Sequence, residues 1–175
     1  MPDGLVQPHL YSISTGMNSK PIGVFDSGIG GLTVVHALTR RLPHENIVYF
    51  GDTARVPYGP KSPQVVREYA AQDVDFLLSK NVKMVVIACN TVSAVAVDVV
   101  QKHARMPVVG VIAPGAKAAV GATRKRRVGI IGTRATVNSN AYTNAVRRRL
   151  RLPLLNLLLP SNPLARLQFR GIRPW

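Results

Sequence analysis

Cys89, Asn90 and Thr91 stand between a β-branched apolar run, Met84–Ala88, and a segment with helical patterning. A thiol at the start of a helix feels the positive end of the helix dipole, which brings its pKa down from about 8.5 into a reactive range. Asn90 and Thr91 supply amide, hydroxyl and backbone donors suited to a carboxylate. The competing role for a lone cysteine in a buried strand is that of a small, inert hydrophobe. Cys89 is the one cysteine of the 175 residues, so neither an internal disulfide nor a Cys-x-x-Cys redox or zinc motif is available. No histidine lies near it in sequence, as a thiol hydrolase would need. The chemistry left is that of a thiol or thiolate moving a proton.

Two further segments carry residues of interest. Asp26-Ser27-Gly28-Ile29-Gly30-Gly31 follows the run Ile22–Phe25. Its glycines permit a tight turn and bring backbone N–H groups close to a ligand. Thr33 occupies the third glycine position of a dinucleotide fingerprint and no Lys-Ser/Thr pair follows, so the segment is neither that fingerprint nor a P-loop. A capping turn, with Asp26 and Ser27 satisfying a helix start, explains it equally well. Gly51-Asp52-Thr53-Ala54-Arg55-Val56-Pro57-Tyr58-Gly59 forms the other segment. Pro57-Tyr58-Gly59 forces a turn that can set backbone donors and an aromatic ring over a cleft, while Asp52 and Arg55 read as a structural pair.

These segments need a frame that brings them together. Ile22–Phe25, Asn46–Phe50, Met84–Ala88, Val108–Ile112 and Val128–Ile131 read as strands buried on both faces of a parallel sheet. Between them, Leu32–Leu42, Pro63–Ser79, Val92–His103 and Ala135–Leu150 read as helices. Ser62 is placed as an N-cap, with Pro63 at the first helical position. The alternation predicts an α/β fold, an open parallel sheet flanked by helices. In such sheets ligands sit beyond the carboxyl ends of the strands, where helix N-termini converge.

The composition, 46% apolar, allows a real core. No run of 18 or more apolar residues occurs, so no spanning helix is expected. Met1–Lys20 lacks the apolar centre of a secretory signal, and the single cysteine fits the cytoplasm. The net charge of +15 is unevenly spread. Residues 1–123 carry 11 Lys/Arg and all 8 Asp/Glu, whereas residues 124–175 carry 12 Lys/Arg and no acid. Within 148–175, Leu, Pro and Arg make up 19 of 28 residues, a bias typical of GC-rich DNA read out of frame. The stretch is expected to be an altered or truncated C-terminus rather than an evolved nucleic-acid arm, which would interleave Lys, Gly, Ser or aromatics.

Taken in order, the segments Phe25–Val34, Gly51–Gly59, Ala88–Ala94, Gly110–Gly115 and Gly132–Val137 resemble the glutamate racemases of the aspartate/glutamate racemase superfamily. Each motif is weak alone; five in order, across about Pro21 to Ala145, are specific, and Ser93-Ala94 fits the glutamate branch. The resemblance implies a two-lobed, pseudo-symmetric α/β fold holding glutamate between its lobes. It makes Cys89 one of two catalytic cysteines, with Asp26 as an orienting or proton-accepting partner. It makes Asp26, Ser27, Tyr58, Gly59, Asn90 and Thr91 substrate-binding positions, and matches Thr133 and Thr136 to second-lobe positions that can touch the substrate. It implies no cofactor and a role in supplying D-glutamate for peptidoglycan; no metal site and no membrane partner are expected, and a nucleic-acid partner is disfavoured by the composition of the basic stretch.

The expected organisation is a disordered extension over 1–20, with Met17 as an alternative start, a first lobe over 21–113, the start of a second lobe over 114–147, and the aberrant tail over 148–175. A Cys-Thr-His segment carrying the family's second cysteine is absent from the sequence. A homodimer is compatible with the sequence, but a second Cys89 would occupy the same lobe rather than the opposite face of the substrate. The expectation is therefore impaired racemisation. An inactive racemase fragment, and a nucleic-acid-binding protein using the basic C-terminal stretch, are the alternatives.

Overall fold

The computed structural model describes residues 11–13 and 20–150. Its sheet is built from β1 (Tyr11–Ile13), β2 (Ile22–Asp26), β3 (Ile47–Gly51), β4 (Met84–Ile87) and β5 (Val108–Gly110), in the spatial order β1-β3-β2-β4-β5. β2 to β5 run parallel and β1 is antiparallel to β3. The helices are α1 (Leu32–Arg41), α2 (Pro63–Ser79), α3 (Asn90–Val95), α4 (Val97–Ala104), α5 (Ile112–Ala122), α6 (Arg134–Asn138) and α7 (Ala141–Leu150), with a 3-10 turn at Thr53–Arg55.

Successive side chains of a strand face opposite ways, and both faces of this sheet are covered. Phe25, Val48, Val85 and Ile87 pack with α2 and α4, whereas Val24, Ile47, Tyr49 and Val86 pack with Val35 of α1. Apolar burial on both faces is what continuous β-branched runs signal. α2 presents Val66, Ala70, Val74 and Leu77 at helical spacing to the first core. Ser62 caps it, accepting from the Val65 N–H at 3.3 Å, with Pro63 at its first position.

Several elements depart from the expected ones. Tyr11–Ile13 falls in the stretch expected to be disordered, yet pairs with Ile47–Tyr49. It satisfies backbone groups that the edge of β3 would otherwise expose. Val128–Ile131 forms no strand, and Ile131 is 83% exposed. A strand needs a neighbour, and among the described residues none lies alongside. β5 ends at Gly110 and Ile112 already opens α5. Pro114 falls in the first turn of that helix, where its missing N–H has no intrahelical partner to lose. The helix expected over Val92–His103 breaks at Ala96, where the Arg67 guanidinium donates to the Val95 carbonyl at 2.8 Å. The helix expected over Ala135–Leu150 breaks at Asn140, which adopts the left-handed conformation, φ +56°. Arg148–Leu150, the first residues of the expected tail, belong to α7; the rest of the tail and Met17 lie outside the described residues. No helix among the described residues is long and apolar enough to cross a membrane.

The expected pair Asp52–Arg55 is present, and it belongs to a larger buried cluster. Arg55 Nε lies 2.6 Å from Asp52 Oδ2, and its Nη2 lies 2.9 Å from Oδ1 of Asp73, which interrupts the apolar stripe of α2. The Tyr58 hydroxyl bonds Asp52 Oδ2 and lies 3.1 Å from Asp73 Oδ2. A hydroxyl carries one proton, so donation to Asp52 leaves the Asp73 contact satisfied when Asp73 holds a proton of its own. Burial first, and then the charge of Asp52, push the Asp73 carboxyl up to about 7. Between its ordinary value of 3.8 and about 7, the native state therefore keeps a proton that the unfolded chain has lost. Stability contributed by this group falls as pH rises through that window. Asp73→Asn, which imitates the protonated form, is expected to flatten this part of the profile in urea titrations across the window. An unchanged slope would contradict the assignment.

Candidate active site

Parallel register brings the ends of β2, β3 and β4 to one edge. Asp26 pairs with Gly51 and Phe25 with Ile87, and the Ala88 N–H donates to the Phe25 carbonyl at 2.8 Å. Cys89 is thereby set beside Asp26 and Ser27, from the far side of the sequence. Its Sγ lies 3.4 Å from the Ser27 Oγ. Cys89 is itself the N-cap of α3, and its sulfur accepts from the Val92 N–H at 3.5 Å.

Asp26 is buried and turned back into its own loop, where Oδ2 accepts from the Gly31 N–H at 2.9 Å. A Cβ at Gly31 would fall 2.7 Å from that of Asp26 and 2.9 Å from that of Ala88, so only glycine fits. The capping role weighed for Asp26 is thus realised at Gly31. Ser27 is half-buried and faces the thiol. Tyr49 was not singled out from the sequence, yet its hydroxyl donates to the Gly28 carbonyl at 2.7 Å and pins the glycine loop to β3. Burial, then the nearby Asp26 and Cys89, raise the Tyr49 hydroxyl above its ordinary value, so it stays a donor.

The expectation of an aromatic over a cleft fails at Tyr58. Its ring is 1% exposed, packs on Tyr69, and turns its hydroxyl to Asp52 and Asp73. An apolar ring with a buried hydroxyl gains more from the core and two carboxylates than from the loop surface. What this turn can offer a ligand is the backbone at Tyr58 and Gly59. Gly59 abuts the Thr133 side chain, bringing the β3–α2 loop against the start of α6.

Three hydroxyls converge across the same boundary. Thr91 Oγ1 lies 3.0 Å from Thr133 Oγ1 and 3.5 Å from Thr136 Oγ1, and the latter two are 3.0 Å apart. Thr133 also caps α6, accepting from the Thr136 N–H at 3.3 Å. Ser93, noted in the sequence only as part of the family motif, ties the base of the site together: it donates to the Ile87 carbonyl at 3.1 Å and accepts from the Val111 N–H at 3.2 Å. Asn90 is exposed and borders a cleft of about 350 Å³ shared with Thr133, Thr136 and Tyr142. A second cleft of about 290 Å³ is bordered by Gly59, Lys61 and Arg134. No group of three or more His, Cys, Asp or Glu able to hold a metal ion occurs among the described residues.

The lowered thiol pKa expected from the sequence is corrected by the structure. Burial pushes the Cys89 thiol up from its ordinary value, Asp26 pushes in the same direction, and the bonds from Ser27 and the Val92 N–H only partly offset this. α3 is six residues long, so few peptide dipoles stand behind the sulfur.

A buried thiol bonded to a serine hydroxyl and a backbone N–H thus sits at the carboxyl edge of an open parallel sheet in an α/β lobe. The chain belongs to the Asp/Glu/Hydantoin racemase family, whose model matches residues 26–155. It is 61% identical over 130 residues to a glutamate racemase of Neisseria meningitidis, covering 74% of this chain and 48% of that protein. It superimposes on the crystal structure of glutamate racemase from Francisella tularensis in complex with D-glutamate, with TM-score 0.69, 50% identity and coverage of 74% and 49%. The glutamate racemase of Aquifex pyrophilus matches with TM-score 0.71 and 47% identity, covering 73% of this chain and 51% of that one. The chain thus spans about half the length of the curated relatives it matches.

Alkylation of Cys89 by iodoacetamide, followed against pH, is expected to have its midpoint above that of an ordinary exposed thiol. Ser27→Ala moves that midpoint further up, because a donor to the thiolate is lost. A wild-type midpoint below that of an ordinary exposed thiol would show that helix-start donors outweigh burial.

Proposed function

We propose that this chain carries one face of a glutamate racemase centre, which interconverts L- and D-glutamate by cofactor-independent acid/base chemistry at Cys89. The observation that carries the reading is the placement of the Cys89 sulfur against Ser27, at the start of α3 and beside Asn90 and Thr91. The similarity to a racemase crystallised with D-glutamate supports the choice of substrate. In this reading residues 114–147 begin the second lobe, and D-glutamate for peptidoglycan is the product that matters to the cell.

Removing the α-proton of an amino acid leaves a carbanion next to a carboxylate, which the site must stabilise with donors aimed at that carboxylate. Asn90, Thr91, Ser27 and the backbone at Tyr58-Gly59 are the candidate donors. The thiolate of Cys89 takes the proton from one face, becoming a thiol; a second acid returns a proton to the other face and inverts the centre. The raised thiol suits the returning step, since the neutral form prevails at neutral pH. In the forward step the substrate ammonium, placed near the sulfur, favours the thiolate. Asp26, with Oδ2 held by Gly31, orients the thiol through its charge.

The 175 residues hold one cysteine, so the polypeptide they form supplies a base to one face only. In D2O it is expected to exchange the α-proton of one glutamate enantiomer without producing the other, by NMR and chiral chromatography. Cys89→Ala should slow the exchange by about 10²-fold or more, the ordinary contribution of a positioned general base. Conversion of L- to D-glutamate by this polypeptide, abolished by Cys89→Ala, would overturn the one-face account. Exchange that survives Cys89→Ala would overturn the role of the thiol.

A further inference from the structure

Asn90 follows Cys89 in the chain, and its exposed side chain is tethered from a distant element. Its Oδ1 accepts a hydrogen bond from the Tyr142 hydroxyl at 2.7 Å, although the two residues are 52 positions apart. Tyr142 lies in α7, and its ring rests against α5 where that helix has Gly115. A Cβ at Gly115 would come within 3.1 Å of both the ring Cε1 and the hydroxyl oxygen, so the small residue lets the ring reach Asn90. Burial raises the Tyr142 hydroxyl above its ordinary value, which keeps it protonated and able to donate.

A primary amide offers an acceptor on one arm and a two-proton donor on the other. An untethered asparagine samples both orientations, and one of them turns an oxygen towards an incoming carboxylate. With Oδ1 accepting from Tyr142, a half-turn of the amide exchanges that bond for one from Nδ2 to the hydroxyl oxygen, a weaker pairing because a phenolic oxygen is a better donor than acceptor. Nδ2 makes no hydrogen bond to any described residue, so its protons stay available.

We propose that Tyr142 is a positioning residue that holds the Asn90 side chain and favours its donor-outward orientation, so that the amide beside Cys89 accepts a ligand carboxylate in preference to an ammonium group. The proposal rests on the reading of Cys89-Asn90-Thr91 as a carboxylate cradle, and it adds the group that sets the cradle's polarity. It also gives the helices after β5 a part in the site: α5 shapes the ring's seat and α7 delivers the hydroxyl.

The test uses the 175-residue polypeptide labelled with 15N, with Tyr142→Phe, which removes only the hydroxyl, and Gly115→Ala, which keeps the hydroxyl but displaces the ring. In the wild type the Asn90 side-chain amide should give one ordered pair of resonances. Both variants should shift these resonances and lower their order, Tyr142→Phe more than Gly115→Ala. D-glutamate titrated into Tyr142→Phe should bind about 3- to 10-fold more weakly than to the wild type, the loss that accompanies one hydrogen bond. Asn90 resonances equally ordered in all three proteins would overturn the proposal. Resonances that respond while D-glutamate affinity stays the same would overturn its carboxylate-facing half. A wild-type chain that binds no D-glutamate, but whose Asn90 amide is released by Tyr142→Phe, upholds the positioning contact and sinks the glutamate reading instead.

Discussion

The Ala88 N–H bonded to the Phe25 carbonyl at 2.8 Å is the contact on which the site depends. It is the last rung of the β2–β4 ladder before both strands end. One residue beyond it on each side, the chain must deliver Asp26 and Cys89 to the same edge. A slip of one residue in this ladder would turn the apolar set of β4 to the wrong face, so core packing enforces the register that the chemistry needs. The two cores on either side of the sheet therefore do more than stabilise it. They fix where a sulfur from one loop meets a hydroxyl from another.

Burial works against the group it positions. The edge that shields Cys89 from water also strips its thiolate of solvation, and a six-residue helix with one backbone N–H donor does not restore the balance. The same conflict recurs at Asp73, where a carboxyl set among apolar residues of α2 is held by Arg55 and by the hydroxyl of Tyr58. In both places the fold tolerates a poorly solvated acid because neighbours from other elements hand it hydrogen bonds. At Asp73 that arrangement anchors the turn carrying Gly59; at Cys89 the bonds offset part of the burial that keeps the proton on the sulfur.

Much of the frame was legible in the sequence. β2, β3 and β4 stood out because both of their faces are buried, which writes continuous β-branched runs rather than alternation. The start of α2 was legible because Ser62 and Pro63 are local signals, satisfied by atoms within one turn. What escaped depends on distant partners. Nothing around Tyr49 or Tyr142 announces that their hydroxyls reach Gly28 and Asn90. Tyr58 looked like an exposed turn aromatic because the acids that draw it inward, Asp52 and Asp73, lie on separate elements. Val128–Ile131 has the composition of a strand, but pairing is a property of two segments. The dipole argument for Cys89 identified a real helix start and misjudged its strength, since neither helix length nor burial is written in a tripeptide.

The central claim is that the edge between β2 and β4 holds an amino acid with its α-carbon against the Cys89 sulfur. A crystal structure of the polypeptide with D-glutamate tests it most directly. The account predicts the α-carbon about 3–3.5 Å from Sγ, the separation of a reactive contact, with one carboxylate on the Asn90 amide. Glutamate lodged in the cleft bordered by Tyr142 and Val146, away from the sulfur, would contradict it.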